Sequence, residues 1–183
     1  MLLLLPFILI SCQSTGSSTS DDDPQYLLAE LPELVHAEVN ESRARHNHSP
    51  LALSSDLAAE AESHSEDMAK NEFFSHTSPE RGDLRTRLQD AEIDCGERAD
   101  FRPAENLFRA TAFSAREIQT DQNGISSTYK WKESSRLARE VVVGWKDSPA
   151  HSSNLFSPTA LRHGIGVALS QDAERVYVTQ ILC

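Results

Sequence analysis

Several things are scarce in this chain. Of its 183 residues, 17 are Lys or Arg against 28 Asp or Glu, a formal net charge of −11 with the histidines neutral. No basic stripe is long enough to follow a phosphate backbone, so a nucleic-acid partner is not expected. Seven glycines are too few for a glycine-rich nucleotide-binding protein. No apolar run reaches the roughly 20 residues that a bilayer-spanning helix needs. No serine lies in a Gly-x-Ser-x-Gly turn or an analogous motif, so no nucleophile stands out. What remains is ordinary: 39% hydrophobic and 25% charged residues, the composition of a soluble domain and not of a fibrous, repeat or polytopic membrane protein. The length suits one domain.

Met1 to Ile10 reads MLLLLPFILI. It is too short to span a bilayer and of the length of the apolar core of an export signal. Its end, Leu9-Ile10-Ser11-Cys12, resembles the lipobox of bacterial lipoproteins. That resemblance implies cleavage before Cys12 and acylation of its sulfur, with residues 1–11 as the signal peptide. No Lys or Arg precedes the run, and plain secretion or a short uncleaved anchor are the other readings. Gln13 to Asp23, QSTGSSTSDDD, has no aliphatic or aromatic residue to bury. Residues 12–25 are therefore expected to form a lipidated, disordered tether ahead of a domain over 26–183. Cys95 and Cys183 are then left over. In an exported chain they suggest one disulfide, closing a loop of about 90 residues and stabilising by about 4–5 kcal/mol in the chain-entropy model. Two free thiols are the alternative.

From about Tyr26 the pattern is helical. Leu31, Val35, Val39 and Ser42 form a buried stripe, with Glu33, Glu41, Arg43 and Arg45 outside. Pro50 ends it by pushing Ser49 out of the helical region. Ser54-Ser55-Asp56 offers N-cap chemistry for a second helix, whose stripe is Leu57, Ala61, His64 and Met68. Phe73 and Phe74 anchor the loop that follows, and Asp83 caps a short third helix carrying Leu84 and Leu88. Asp94 to Pro103 is irregular and polar, and Thr111 to Glu133, with no clear period, reads as a long loop. Leu137, Ala138, Val141 and Trp145 share one face of a fourth helix stopped by Ser148-Pro149, with Glu140 as a solvated surface charge. His163–Ser170 and Arg175–Leu182 read as an antiparallel hairpin. Helices first and strands last predict a layered α+β domain.

Seven strings fall into a known order: Asn40-Glu41-Ser42-Arg43; Pro50-Leu51; Phe74-Ser75-His76-Thr77-Ser78-Pro79; Glu105-Asn106-Leu107; Gly144-Trp145-Lys146-Asp147-Ser148-Pro149-Ala150-His151; Asn154-Leu155; and Gly164-Ile165-Gly166-Val167-Ala168. In this the chain resembles the CAP superfamily (cysteine-rich secretory proteins, antigen 5 and pathogenesis-related proteins, the SCP-like domain), and within it the bacterial branch of short exported domains. The resemblance runs from about Leu31 to Leu182. It implies a three-layer α-β-α sandwich around a small, mostly antiparallel sheet. It also implies a cleft with two histidines and two acidic residues, often holding a divalent metal. Carried over, the histidines are His76 and His151 and the first acid is Glu105. Aligned on Trp145, the family's second glutamate falls on Ser148, and Asp147 is the neighbouring carboxylate that could substitute.

His76 and His151 also stand out from the residues alone, because both are expected in loops just after helices. His64 lies on a buried stripe, His36 and His163 read as structural, and His46-Asn47-His48 as an exposed linker. Two imidazoles and a carboxylate are a partial shell for zinc or a similar divalent cation. The same groups also make a hydrogen-bonded polar cluster without metal, or a hydrolase in which Glu105 serves as base to a metal-activated water. Three functions are therefore open: an envelope-anchored binding module, with lipids, sterol-like molecules or envelope polymers as ligands; a metal-dependent hydrolase; and a scaffold with a vestigial cleft.

Overall fold

The computed structural model describes residues 24–96, 102–122 and 124–183. The signal run, Cys12 and the tether to Asp23 lie outside the described residues, as do residues 97–101 of the irregular stretch.

Eleven elements follow one another among the described residues: α1 (Tyr26–Arg45), β1 (Ala52–Leu53), α2 (Ser55–Lys70), α3 (Leu84–Asp90), β2 (Ala104–Thr111), β3 (Phe113–Asp121), β4 (Gly124–Trp131), α4 (Ser134–Asp147), α5 (Pro149–Leu155), β5 (Arg162–Leu169) and β6 (Arg175–Leu182). The main sheet has the order β1-β5-β6-β2. β1 joins β5 in parallel, and the other pairings are antiparallel. None of the described helices is long and apolar enough to cross a membrane.

Strand alternation sorts the sheet into two faces. Ile165, Val167, Val176, Val178 and Leu182 point into one core with Leu31, Val35 and Val39 of α1 and Leu137, Val141 and Trp145 of α4. Ile181, Ala168 and Tyr177 point the other way, onto Leu57, Ala61 and Met68 of α2. The result is the expected three-layer sandwich. Gly164 and Gly166 let α2 lie directly on the sheet: a Cβ on Gly166 would stand 1.9 Å from the Glu62 amide nitrogen, and one on Gly164 2.1 Å from that of Ala58. Ser65 fastens the contact through its Oγ, which lies 3.1 Å from the Gly166 carbonyl and 2.8 Å from Thr179 Oγ1. Cys95 and Cys183, 88 residues apart, form a disulfide that ties the segment after α3 to the end of β6.

Several expectations are corrected. Thr111 to Glu133 is not a loop but carries the β3–β4 hairpin, paired from Phe113↔Trp131 to Asp121↔Gly124. Most of its residues are exposed, so no buried face imposes an apolar alternation. An aromatic cluster holds it instead: Tyr129 stacks 4.9 Å from Trp131 on its own strand and meets Phe113 across the pair edge-on at 5.2 Å. Arg43 is buried, not outside: its guanidinium donates to the carbonyls of Ser49, Leu155 and Ser157 and so bridges α1 to α5.

Pro50 does not end α1. The helix stops earlier, at Arg45, where Asn47 takes a φ of 60° and the amides of Asn47 and His48 bond back to the carbonyls of Ala44 and Arg43, a Schellman motif. Ser54 does not cap α2 with its side chain; it bonds to Asp56 and Arg162. Asp83 does cap α3, accepting from the Thr86 amide at 2.9 Å. Phe73 packs into the core beside Met68, whereas Phe74 is exposed beneath the Arg109 guanidinium. Glu140 is half-buried and paired with Lys132 and Arg136.

Candidate functional site

The site is assembled from three places in the chain. α2 ends in a Schellman turn: Glu72 takes a φ of 55° and the Phe73 amide returns to the Met68 carbonyl. The following loop is tied internally. Ser75 Oγ accepts from the Thr77 amide, Ser78 Oγ from the amides of Glu80 and Arg81, and Ser78 and Gly82 exchange main-chain bonds. This loop presents His76, whose side chain is 56% exposed. β2, at an edge of the sheet, supplies Glu105, whose carboxylate is 2% exposed. His151 lies on α5, a short helix opened by Pro149, and not in a loop. Pro149 ends α4 and starts α5 because its fixed φ suits the first helical position.

The structure brings His76, Glu105 and His151 together. His76 Nδ1 donates to Glu105 Oε1 at 2.8 Å, and the rings of His76 and His151 have centroids 6.2 Å apart. Behind them lies a network that sequence reasoning missed. Arg87, fully buried on α3, donates from Nη2 to Glu105 Oε2 at 2.6 Å and from Nη1 to Glu60 Oε1 at 3.2 Å. Arg81 Nη2 reaches both oxygens of the same Glu60. The carboxylate of Glu105 is thus clamped on one oxygen and offers the other to His76. With Nδ1 committed as donor, His76 turns Nε2 outward as an acceptor. Burial, and then the neighbouring His76, hold the His151 imidazolium below its ordinary range, so His151 favours the neutral form.

The backbone of the site is fixed by amides. Asn154 Nδ2 donates to the carbonyl of Glu105 and to Asn106 Oδ1, and Asn106 Nδ2 donates to the carbonyl of His151 and to Gln180 Oε1. The chain of bonds continues through the core. Gln180 Nε2 donates to His163 Nδ1 at 2.9 Å, and His163 Nε2 meets His36 Nδ1 at 2.7 Å. His163 and His36 are therefore structural, as expected, and so is His64, buried with Nε2 donating to the Ser75 carbonyl. His46 and His48 pack against Phe156. The only available signal for Arg87 and Glu60 was their spacing on their helices beside Leu88 and Ala61, which places them on buried faces.

Two imidazoles bound to one tetrahedral ion at about 2.0–2.1 Å have ring centroids about 5 Å apart; those of His76 and His151 are 6.2 Å apart, so the pair stands open by about 1 Å relative to a shared zinc site. Glu105 fits the outer role, fixing the tautomer of a histidine whose other nitrogen faces the site. Both of its oxygens are already bonded. Among the described residues no three His, Cys, Asp or Glu side chains group to hold a metal, so Asp147, exposed at the end of α4, does not complete a triad with the imidazoles. An ion there would have His76 and His151 as its protein ligands, with the rings drawn about 1 Å closer and water or ligand in the remaining positions. A cavity of about 280 Å³ opens beside His76 and Glu105, lined also by Thr77, Leu84, Arg85 and Pro103.

Residues 36–182 match the model of the Cysteine-rich secretory protein family, CAP. The uncharacterized membrane protein YlbC of Bacillus subtilis is 26% identical over 141 residues, which cover 77% of this chain and 31% of that protein. The chain thus spans about a third of that relative's length. Among solved structures, an extracellular SCP-domain protein of Bacillus anthracis superposes with a TM-score of 0.63 at 24% identity, over 91% of this chain and 44% of the other. An outer surface protein of Borrelia burgdorferi gives 0.56 at 16% identity, over 87% and 94%. These two likenesses concern the fold.

Proposed function

The chain belongs to the cysteine-rich secretory protein (CAP) family, and from that membership we propose that it is an exported, envelope-anchored binding module whose ligand sits between His76 and His151. The observation that carries this reading is the clamp on Glu105. A buried carboxylate held by Arg87 fixes the tautomer of a half-exposed imidazole, which pre-organises an acceptor nitrogen facing a second, neutral imidazole. Rigid placement of polar groups before the ligand arrives lowers the cost of binding.

Binding is favoured over hydrolysis by the state of Glu105, the candidate base, whose two oxygens are held by His76 and Arg87. Ser75 and Ser78 accept at Oγ from the loop's own amides. A divalent cation such as zinc would be held by His76 and His151 and would supply a Lewis-acidic contact for a ligand oxygen. Lipids, sterol-like molecules and envelope polymers are the ligand classes to screen. Anchoring rests on the lipobox at Cys12, and the extracellular and outer-surface origins of the two structural neighbours support export. Loss of membrane association in Cys12→Ser tests the anchor.

Zinc chloride titrated calorimetrically into the full chain tests the cleft. One saturable site, weakened at least tenfold in the His76→Ala/His151→Ala variant with an unchanged melt, is expected. Equal affinity in that variant contradicts the reading. Zinc-dependent turnover of envelope peptides that disappears in Glu105→Gln favours the hydrolase instead.

A further inference from the structure

Past His163 no described strand runs beside β5; this edge is closely covered at Ile165 and Val167, which are 3% and 5% exposed, and opens at Leu169. β1 covers only the start of β5: the Ala52 and Ser54 amides donate to the carbonyls of Leu161 and His163, and the strand pairing stops there. β5 runs on to Leu169. The parity of its hydrogen bonds is set at both ends. Arg162 exchanges bonds with Cys183, and the Ser170 amide donates to the Arg175 carbonyl, so even-numbered residues bond toward β6. Odd-numbered residues face the β1 side. The main-chain N–H and C=O groups of Ile165, Val167 and Leu169 therefore point away from β6, and no described residue bonds to them.

This edge borders a groove between α1 and α2. A cavity of about 350 Å³ is lined by Val167 to Gln171 of the strand end, by Leu28 of α1, and by Glu62, Glu66 and Lys70 of α2. Paired main-chain groups are the rule in protein interiors, and an unpaired edge is a template for another strand. We propose that this groove takes an extended cationic peptide segment, which adds to β5 as a strand in the line of β1.

The chemistry of the flanks selects the peptide. Side chains of an added strand alternate between the sheet's two faces. On the α1 face, Leu28 and the β5 residues Val167 and Leu169 offer apolar contact. On the α2 face, Glu62 and Glu66 stand four residues apart, both exposed and neither in an ion pair with a described residue. A segment alternating apolar and basic residues matches both. The chain's own tether, ending Asp21-Asp22-Asp23 just ahead of Gln25 at the groove, has the wrong charge for it. Main-chain bonds give such sites their affinity and alternate side chains their specificity. The site is independent of the His76–His151 cleft, because Glu105 sits on β2 at the other edge of the sheet.

The test uses the full chain and an end-blocked hexapeptide alternating valine and lysine, with binding followed by fluorescence anisotropy and amide exchange. Saturable binding is expected, with new protection at the Val167 and Leu169 amides. Glu62→Gln/Glu66→Gln should raise Kd at least tenfold, as should replacing lysine by glutamate in the peptide. Leu169→Pro removes one outward donor without touching a bond to β6 and should also raise Kd at least tenfold. Two peptides N-methylated on alternate amides distinguish strand addition from simple charge attraction: one should lose binding and the other keep it within threefold. No saturable binding, equal binding by both methylated peptides, or protection of Val167 and Leu169 already complete in the free chain, which would assign the groove to the tether, overturns the proposal.

Discussion

Replacing Arg87 by leucine probes the fold and the site together. The guanidinium is fully buried and bonds to two carboxylates, Glu105 at 2.6 Å and Glu60 at 3.2 Å, which are 2% and 5% exposed. Leucine fills part of the volume but leaves Glu105 with no guanidinium, only the imidazoles of His76 at 2.8 Å and His64 at 4.0 Å, while Glu60 keeps Arg81. Breaking a buried ion pair by removing one partner costs about 3–5 kcal/mol, because the other charge stays desolvated. Retention of Arg81 on Glu60 places the expected loss toward the lower half of that range. Urea unfolding followed by tryptophan fluorescence should show this as a lowered midpoint at unchanged slope. Arg87→Leu/Glu105→Gln should recover part of the loss, since the orphaned charge is then gone. Arg87→Lys should not, because one ammonium cannot reproduce a fork between two carboxylates. A loss below about 1 kcal/mol in Arg87→Leu, or no recovery in the double variant, refutes the clamp.

Other consequences are equally direct. Burial pushes His163 down to about 3, whereas the unfolded imidazole titrates near its ordinary 6.5. Its contribution to stability is whole above pH 6.5 and lost as pH falls from there through about 3, so unfolding at pH 5 should need about 2 kcal/mol less than at pH 8 from this residue alone. A His163→Gln variant with an equally steep pH profile would contradict the assignment. Gly166→Ala drives a Cβ into the backbone of α2, 1.9 Å from Glu62 N and 2.1 Å from the Ala61 carbonyl carbon; with no flexible side chain to yield, a loss of about 3 kcal/mol or more in denaturant melts is expected. Trp145→Ala removes a fully buried indole that also donates to the Leu107 carbonyl, and should cost about 3–5 kcal/mol by the same melts; a change under about 1 kcal/mol would mean that the face of α4 is misplaced.

Much of this was legible in the residues, and the parts that were not share a cause. Periodic apolar stripes marked α1, α2 and α4 because each buries one face, and alternation marked β5 and β6. The β3–β4 hairpin escaped because Ile118 and Ile125 are 61% and 76% exposed; without a buried face, only three aromatics remained as signals. Arg43 escaped because its partners are carbonyls of Ser49, Leu155 and Ser157, and nothing in a local pattern tells a guanidinium seeking carbonyls from one seeking water. In the site, His76, Glu105 and His151 were identified by resemblance, and the structure gathers them. Arg87 and Glu60 were hidden because charged residues on helices are usually solvated, and only tertiary contact reveals a buried pair. Asp147 looked suitable by sequence adjacency, but the end of α4 leaves it exposed.

The central claim is that Glu105 holds His76 in one tautomer, facing His151 across a shared site. Long-range proton–nitrogen correlation spectra of the imidazoles at pH 7 test it directly, first without metal and then with zinc added stepwise. The account predicts Nδ1 protonated and Nε2 bare on His76, with His76 and His151 resonances moving together as zinc is added. An Nε2-protonated His76, or one histidine responding while the other stays still, would contradict it.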